Sequence, residues 1–149
     1  MSSQSGSGSH QQAHVHLLTE IHRAPVYSKA LLESGALADD VEWWAAGPAA
    51  LLPWAGTVRG PAALAEWFTR LAAAMAYEGF SAVEYIAQED QVAVVIRSHG
   101  RARESRRPFA SEIVRIYTFR GGKIARVRNF YDTASYVAAL HGVDQDAPT

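Results

Sequence analysis

The chain has 149 residues, a formal net charge of −1, no cysteine and 10% aromatic residues, among them four tryptophans. This length indicates one domain, the lack of cysteine excludes disulfides and thiolate zinc sites, and the balanced charge gives no electrostatic case for binding nucleic acid or a membrane surface. No apolar run approaches the roughly 20 residues that cross a bilayer, and the N-terminus has no signal-peptide pattern. We therefore expect a soluble cytoplasmic protein.

The first half of the chain is predicted to be mainly helical. A Ser-, Gly- and Gln-rich segment, residues 1–13, is expected to be a disordered tail or an expression scar, and the folded domain is expected over 14–141. It opens with two helices separated by Ala24-Pro25 and a short strand over 41–45. After an irregular apolar segment, Gly60-Pro61 starts the clearest helix, whose apolar stripe is Leu64, Trp67, Phe68, Leu71 and Met75.

The second half is predicted to be a meander of strands joined by tight turns. The four strands are expected over 80–88, 91–102, 109–119 and 123–131, and they are followed by a closing helix over 133–140 and a flexible tail over 142–149. Helices followed by a meander predict an α+β fold, in which the helices pack on one face of a curved antiparallel sheet.

The last hairpin has an unusual face. Side chains alternate across a strand, so Ile113, Arg115, Tyr117 and Phe119 share one face, and Val127, Asn129 and Tyr131 share a face on the next strand. A core-facing surface that carries Arg, Asn and Tyr is typical of a pocket wall.

Four segments together resemble the NTF2-like superfamily, and specifically its SnoaL-like, polyketide-cyclase branch. They are LADDVEWW (37–44), AGTVRGPAALAEWF (55–68), IYTFRGGKIARVRNFYD (116–132) and TASYVAAL (133–140). The resemblance implies a cone, in which a bent sheet wraps around helices and leaves a central apolar cavity. It also implies a homodimer formed through the outer face of the sheet, and chemistry without a cofactor.

The related ketosteroid isomerases use an Asp base together with a Tyr and a protonated Asp that donate to the oxyanion. Matched through LADDVEWW, the position of that base falls near Ala45, which has no carboxylate. The position of the oxyanion Asp falls on Arg115, which stays protonated. Asp132 of the FYD motif is the nearest match to the catalytic Asp of the cyclases.

The resemblance predicts an enzyme that uses acid/base chemistry to cyclise, isomerise or dehydrate a hydrophobic, polyketide-like carbonyl compound. Asp132 would be the base, and Arg115, Tyr131 and Asn129 would stabilise the enolate. Each has a structural alternative: Asp132 is also placed to cap the closing helix, and Arg115 to pair with Glu112 or Glu84. The residues predicted to bind the substrate are Trp43, Trp54, Tyr117, Val127, Phe68 and His99, of which His99 would also be a proton shuttle.

Two other functions remain open. The lack of a carboxylate at position 45 favours a non-catalytic module that binds a hydrophobic small molecule. Epoxide hydrolysis by an Asp–Arg–Asp set is a distant third, because Ile113 and Tyr117 flank Arg115. The spacing of His14, His16 and His22 does not suit a metal site, and the arginines between 97 and 107 are expected to be a solvated hairpin.

Overall fold

A computed structural model describes the backbone of residues 2–142 and the side chains of residues 8–142. The helices are α1 (Ser2–Arg23), α2 (Tyr27–Glu33), α3 (Pro61–Ala74) and α4 (Thr133–His141). The strands are β1 (Leu37–Ala45), β2 (Gly56–Arg59), β3 (Met75–Gln88), β4 (Gln91–Ala102), β5 (Pro108–Arg120) and β6 (Lys123–Tyr131). The order of helices and strands confirms the predicted α+β class.

One curled sheet holds all six described strands, in the order β2-β1-β6-β5-β4-β3. The long meander β3 to β6 is antiparallel, as predicted, and the turn at Gly121-Gly122 has positive φ at both residues. The prediction of a purely antiparallel sheet is wrong for one pair of strands, because β1, which is second from the edge, lies parallel to β6. The helical crossover between β1 and the meander lets β1 enter the sheet in this direction.

The strands of the structure differ from the predicted ones at three places, since β1 begins at Leu37 rather than at residue 41, β2 is an additional strand and β3 begins earlier than predicted. β2 was expected to be irregular, yet residues 56–59 pair with β1 from Glu42↔Arg59 to Ala45↔Gly56. β3 begins at Met75, which was expected to lie in the preceding helix, and pairs with Ala102. Backbone pairing with a neighbouring strand therefore overrides the apolar helical stripe at this point.

Helix α1 begins at Ser2, so the described backbone is helical through the segment that composition predicts to be disordered. Its C-terminal half packs on the sheet through Leu18 and Ile21, and His14 stacks on Phe119 with 3.8 Å between ring centres. The predicted flexible tail falls, from residue 143 onward, outside the described residues.

The core lies between the inner face of the sheet and the helices. α1 packs on β3 and β4, α3 packs on β1 and β2, and α4 packs on β5. α3 contributes the buried residues Leu64 and Trp67. The loop between β1 and β2 folds inward through Leu52 and Trp54, which are 0% and 2% exposed. This packing closes one end of the sheet around an interior space.

Candidate active site

The inner faces of β5 and β6 carry the polar groups of the site, as their alternation predicts. Ile113, Arg115 and Tyr117 are buried, and so are Val127 and Asn129 on β6. Arg115 lies directly opposite Asn129 in the antiparallel register. Tyr131 is half-buried on the same face.

Two cavities meet at Arg115. The larger has a volume of about 430 Å³ and lies between the α1–α2 connection, α3 and the start of β3. The smaller, about 20 Å³, lies deeper and is lined by Asn129, Tyr131 and Trp54 among others. Arg115, Leu71 and Tyr77 line both cavities, so the arginine forms part of the wall between them.

Arg115 is a buried cation held in one orientation. Its side chain is 4% exposed, and its Nε donates to Oδ1 of Asn129, whose Nδ2 in turn donates to the carbonyl of Trp44 at 2.9 Å. The guanidinium carbon lies 4.9 Å from the centre of the Tyr27 ring and 5.0 Å from that of Trp43. The aromatic faces stabilise the cation, but its Nη1 is buried without a hydrogen-bond partner.

A carboxylate partner for this cation is absent among the described residues. None of their ion pairs includes Arg115, and Glu112 is paired with Arg97 on the outside of the sheet. Glu78 is the one acidic residue that lines the larger cavity; it is exposed and pairs with Arg101 at 3.4 Å. The cavity wall therefore carries an uncompensated positive charge.

His22 lines the larger cavity next to this charge. Its Nε2 lies 3.0 Å from the hydroxyl of Tyr117, which lies 2.5 Å from the hydroxyl of Tyr27. Burial, reinforced by the charge on Arg115, lowers the pKa of His22 from 6.5 to about 3. The imidazole is therefore neutral near neutral pH, and its Nδ1 is buried without a hydrogen-bond partner.

The buried tyrosines are protonated. Burial raises the pKa of Tyr117 and of Tyr77 well above the ordinary value, and it raises the pKa of Tyr131 to about 12. Neutral phenols can donate hydrogen bonds but do not compensate a cation. The positive charge of Arg115 is therefore balanced by none of these hydroxyl groups.

A second hydrogen-bonded chain closes the deep end of the interior. Trp54 Nε1 donates to the hydroxyl of Tyr131 at 2.9 Å, and that hydroxyl donates to the carbonyl of Ala46. Trp67 Nε1 donates to the carbonyl of Trp54 at 2.6 Å. These bonds fix the loop between β1 and β2 against α3 and β6.

The structure brings together only part of the predicted catalytic set. Arg115, Asn129 and Tyr131 meet at the small cavity. Asp132 is exposed, and its carboxylate accepts a hydrogen bond from the backbone N–H of Ser135 as the N-cap of α4. Strand alternation turns it away from the face of Tyr131, so the geometry places the predicted base outside both cavities.

Only some of the predicted substrate-binding residues line a cavity. Phe68 lines the larger cavity and Trp54 the smaller. Trp43, Tyr117 and Val127 are fully buried beside or beneath Arg115. His99 is exposed on the outer face of β4, where its ring covers Gly79, so it does not reach the interior.

Sequence reasoning missed His22 and Tyr27. His22 follows Leu18 at the spacing of one helical turn and Ile21 directly, which was the available signal that it faces the core. Tyr27 begins α2 immediately after the Pro25 break and points at the guanidinium of Arg115. No group of residues suited to hold a metal occurs within the described range.

Comparisons with known proteins agree with this fold. Residues 34–127 match the SnoaL-like domain family. An NTF2-like protein of Burkholderia xenovorans is 29% identical, with a TM-score of 0.75 over 88% of this chain and 98% of that one. An NTF2-like protein of Burkholderia thailandensis is 23% identical, with a TM-score of 0.73 over 89% and 97% of the two chains.

A third solved structure is that of TerC crystallised with polyporic acid, which is 20% identical, with a TM-score of 0.69 over 88% of this chain and 97% of that one. The sequence matches no curated protein. The family match covers well over half of the chain, so the protein belongs to the SnoaL-like domain family and has the NTF2-like fold. No helix within the described residues is long and apolar enough to cross a membrane.

Proposed function

We propose that the protein is a SnoaL-like enzyme that isomerises or cyclises a hydrophobic carbonyl compound by acid/base chemistry without a cofactor. The observation that carries this proposal is the neutral imidazole of His22 beside the buried, unpaired cation of Arg115 in one cavity of about 430 Å³. That volume suits a small organic molecule. TerC, a protein of the same fold, was crystallised with polyporic acid.

In this proposal Arg115 holds the carbonyl oxygen of the substrate. Removal of a proton from the neighbouring carbon turns the carbonyl into an enolate, and the negative charge develops on the oxygen nearest to Nη1. A fixed cation in a water-excluding site stabilises such a charge strongly because it needs no reorganisation. Asn129 keeps the guanidinium in place by accepting from Nε.

His22 replaces Asp132 as the proposed proton acceptor. When its Nε2–H donates to Tyr117, Nδ1 carries the lone pair that would take the proton, and because Nδ1 is buried the imidazole must shift for a substrate to reach it. A pKa of about 3 makes His22 a weak base. Burial and the charge of Arg115 both lower this pKa, and the negative charge of the forming enolate offsets the contribution of Arg115. An Asp base with a pKa of only about 4.6 serves the ketosteroid isomerases.

The test is the exchange of α-protons for deuterium in a probe ketone, 2-tetralone, followed by NMR. We expect the wild-type protein to accelerate this exchange and His22→Gln to lower the accelerated rate by about 100-fold. His16→Gln makes the same change at an exposed site on the same helix and should leave the rate unchanged. Equal rates in His22→Gln and wild type would remove His22 from this role.

A non-catalytic binding module is the second candidate, favoured by the lack of an inward-facing carboxylate among the described residues. It predicts that the ketone binds, as seen by quenching of tryptophan fluorescence, while its α-protons exchange no faster than in buffer. The two measurements together distinguish the enzyme from the binder.

We also propose that two copies associate through the outer face of the sheet. This face presents contiguous apolar side chains, because Val114 on β5 lies opposite Val95 on β4 and opposite Phe130 on β6. Phe130 is 38% exposed. An exposed apolar surface of this kind is typical of an interface.

We expect light scattering to give the mass of two chains for the wild type and of one chain for Val114→Glu, since a charge at the centre of the patch opposes its burial. Leu51→Glu, which adds the same charge on an exposed loop residue, should remain a dimer. A wild-type mass of one chain would refute the proposal.

A further inference from the structure

The interior of this protein holds a charge that the fold itself leaves unbalanced. Buried guanidinium groups in proteins are normally paired with an anion and fully hydrogen-bonded. Arg115 has an amide partner at Nε, aromatic rings at its faces and the hydroxyl groups of Tyr27 and Tyr117 beside it, while Nη1 has no hydrogen-bond partner among the described residues. The side chain is 4% exposed, so bulk water does not supply the missing acceptor.

Within residues 8–142, the surroundings of the cation offer donors and weak acceptors but no anion. Tyr27 and Tyr117 present hydroxyl groups, His22 is a neutral imidazole, and Asn129 is an amide that already uses both ends in hydrogen bonds. Glu78 lines the cavity, but it is exposed and pairs with Arg101. A ligand that enters the larger cavity therefore meets one net positive charge.

A second cation stands at the opening of the same cavity. Arg103 is exposed, lines the larger cavity and is held by its Nε, which donates to the carbonyl of Ala72 at 2.5 Å. It has no carboxylate partner among the described ion pairs, which leaves its charge free to attract an approaching anion. Both arginines therefore favour entry of a negatively charged molecule.

We propose that the natural ligand of this cavity is a hydrophobic organic monoanion whose oxyanion pairs with the guanidinium of Arg115. The aromatic and apolar lining, which includes Phe68, Phe80, Leu71 and Met75, takes the rest of the molecule. The oxyanion belongs to a carboxylate or to an acidic enol that is ionised at neutral pH. An ionised enol has the negative charge that Arg115 would stabilise in the proposed reaction. The monoanion therefore narrows the substrate class of the proposed function. It rests on that function only in placing the substrate in this cavity.

The test compares three probes of similar size, titrated at pH 7 with tryptophan fluorescence and calorimetry. They are 2-naphthoate, 2-hydroxy-1,4-naphthoquinone as an ionised enol, and 2-acetylnaphthalene as a neutral ketone. A hydrogen bond to a charged group is worth roughly a 10- to 100-fold difference in affinity. We expect at least one of the two anions to bind about 10-fold or more tightly than the ketone, and the stronger of the two identifies the source of the oxyanion.

Arg115→Met removes the charge and keeps an unbranched apolar side chain, so we expect it to abolish the preference for the anions. Arg97→Met makes the same change on the exposed outer face of β4, where Arg97 pairs with Glu112, and it should keep the preference. A ketone that binds as tightly as both anions to the wild type overturns the inference, whether or not Arg115→Met folds. A preference for the anions that persists in folded Arg115→Met also overturns the inference.

These outcomes are separate from those of the proposed function. Binding is measured at equilibrium without turnover, whereas the proposed proton transfer is measured by deuterium exchange. An anion preference without exchange would leave the monoanion site in place and refute the enzyme. Exchange without an anion preference would support the enzyme and refute the monoanion site.

Discussion

Replacing Trp43 by alanine is expected to lower the free energy of unfolding by about 3–5 kcal/mol, as large-to-small changes of a fully buried tryptophan do. Trp43 is 0% exposed and packs edge-to-face against Trp67 and Phe68, with 5.3 and 5.4 Å between ring centres. It also supports one face of the guanidinium of Arg115. The loss would be measured by urea denaturation followed by far-UV circular dichroism.

Trp44→Ala is the matched control, because the neighbouring residue on β1 faces outward. Trp44 is half-buried and contacts Phe130 across the strand, at 5.1 Å between ring centres. We expect its loss to cost only about 1 kcal/mol, since little apolar area leaves the interior. Equal losses in the two variants would contradict the assignment of inner and outer faces on β1.

Acidification is expected to cost the wild-type protein about 2 kcal/mol of stability between pH 7 and pH 5 through His22 alone. The pKa of His22 is about 3 in the folded protein and 6.5 in its ordinary state. Between these values the unfolded chain binds the proton and the folded protein does not. Stability is therefore complete above pH 6.5 and falls as the pH drops, by ~1.4 kcal/mol per pH unit.

His22→Gln removes this titration, and the difference between the two proteins isolates the contribution of His22 from that of all other groups. Urea denaturation at pH 7 and pH 5 should show the additional loss of about 2 kcal/mol only in the wild type. The same loss in both proteins would show that His22 is solvated and protonated in the folded state.

The local sequence patterns predicted which residues line the site better than they predicted the chemical role of each residue. Strand alternation groups Asn129 with Tyr131 on β6 and sets the face of Arg115 on β5. It does not fix how the two strands pair, because a one-residue bulge between the turn at Gly121-Gly122 and Val127 brings Asn129, rather than Arg128, opposite Arg115. The same alternation indicated that Asp132 points away from Tyr131. The family resemblance predicts a base at Asp132, and in the structure its carboxylate caps α4.

Other features depend on contacts between distant parts of the chain. The parallel pairing of β1 with β6 leaves no local pattern in either strand, so the sheet was predicted to be antiparallel. The position of His22 was recoverable from its helical spacing, but its neutrality depends on burial under Tyr27 and proximity to Arg115. The lack of an acidic partner for Arg115 among the described residues also follows from the three-dimensional fold, since Glu112 is close in sequence but pairs with Arg97 on the outer face.

The pairing of β1 with β6 sets the order in which this protein can assemble. The meander from β3 to β6 forms between neighbours in sequence, but Trp43 finds Val127 only after nearly the whole domain has been synthesised. Contacts between distant segments slow folding. During translation β1 can pair with β2 and pack on α3 early, whereas its other edge stays unpaired until β6 has been made. Chains that end before β6 should be clients of chaperones or proteases rather than partly active proteins.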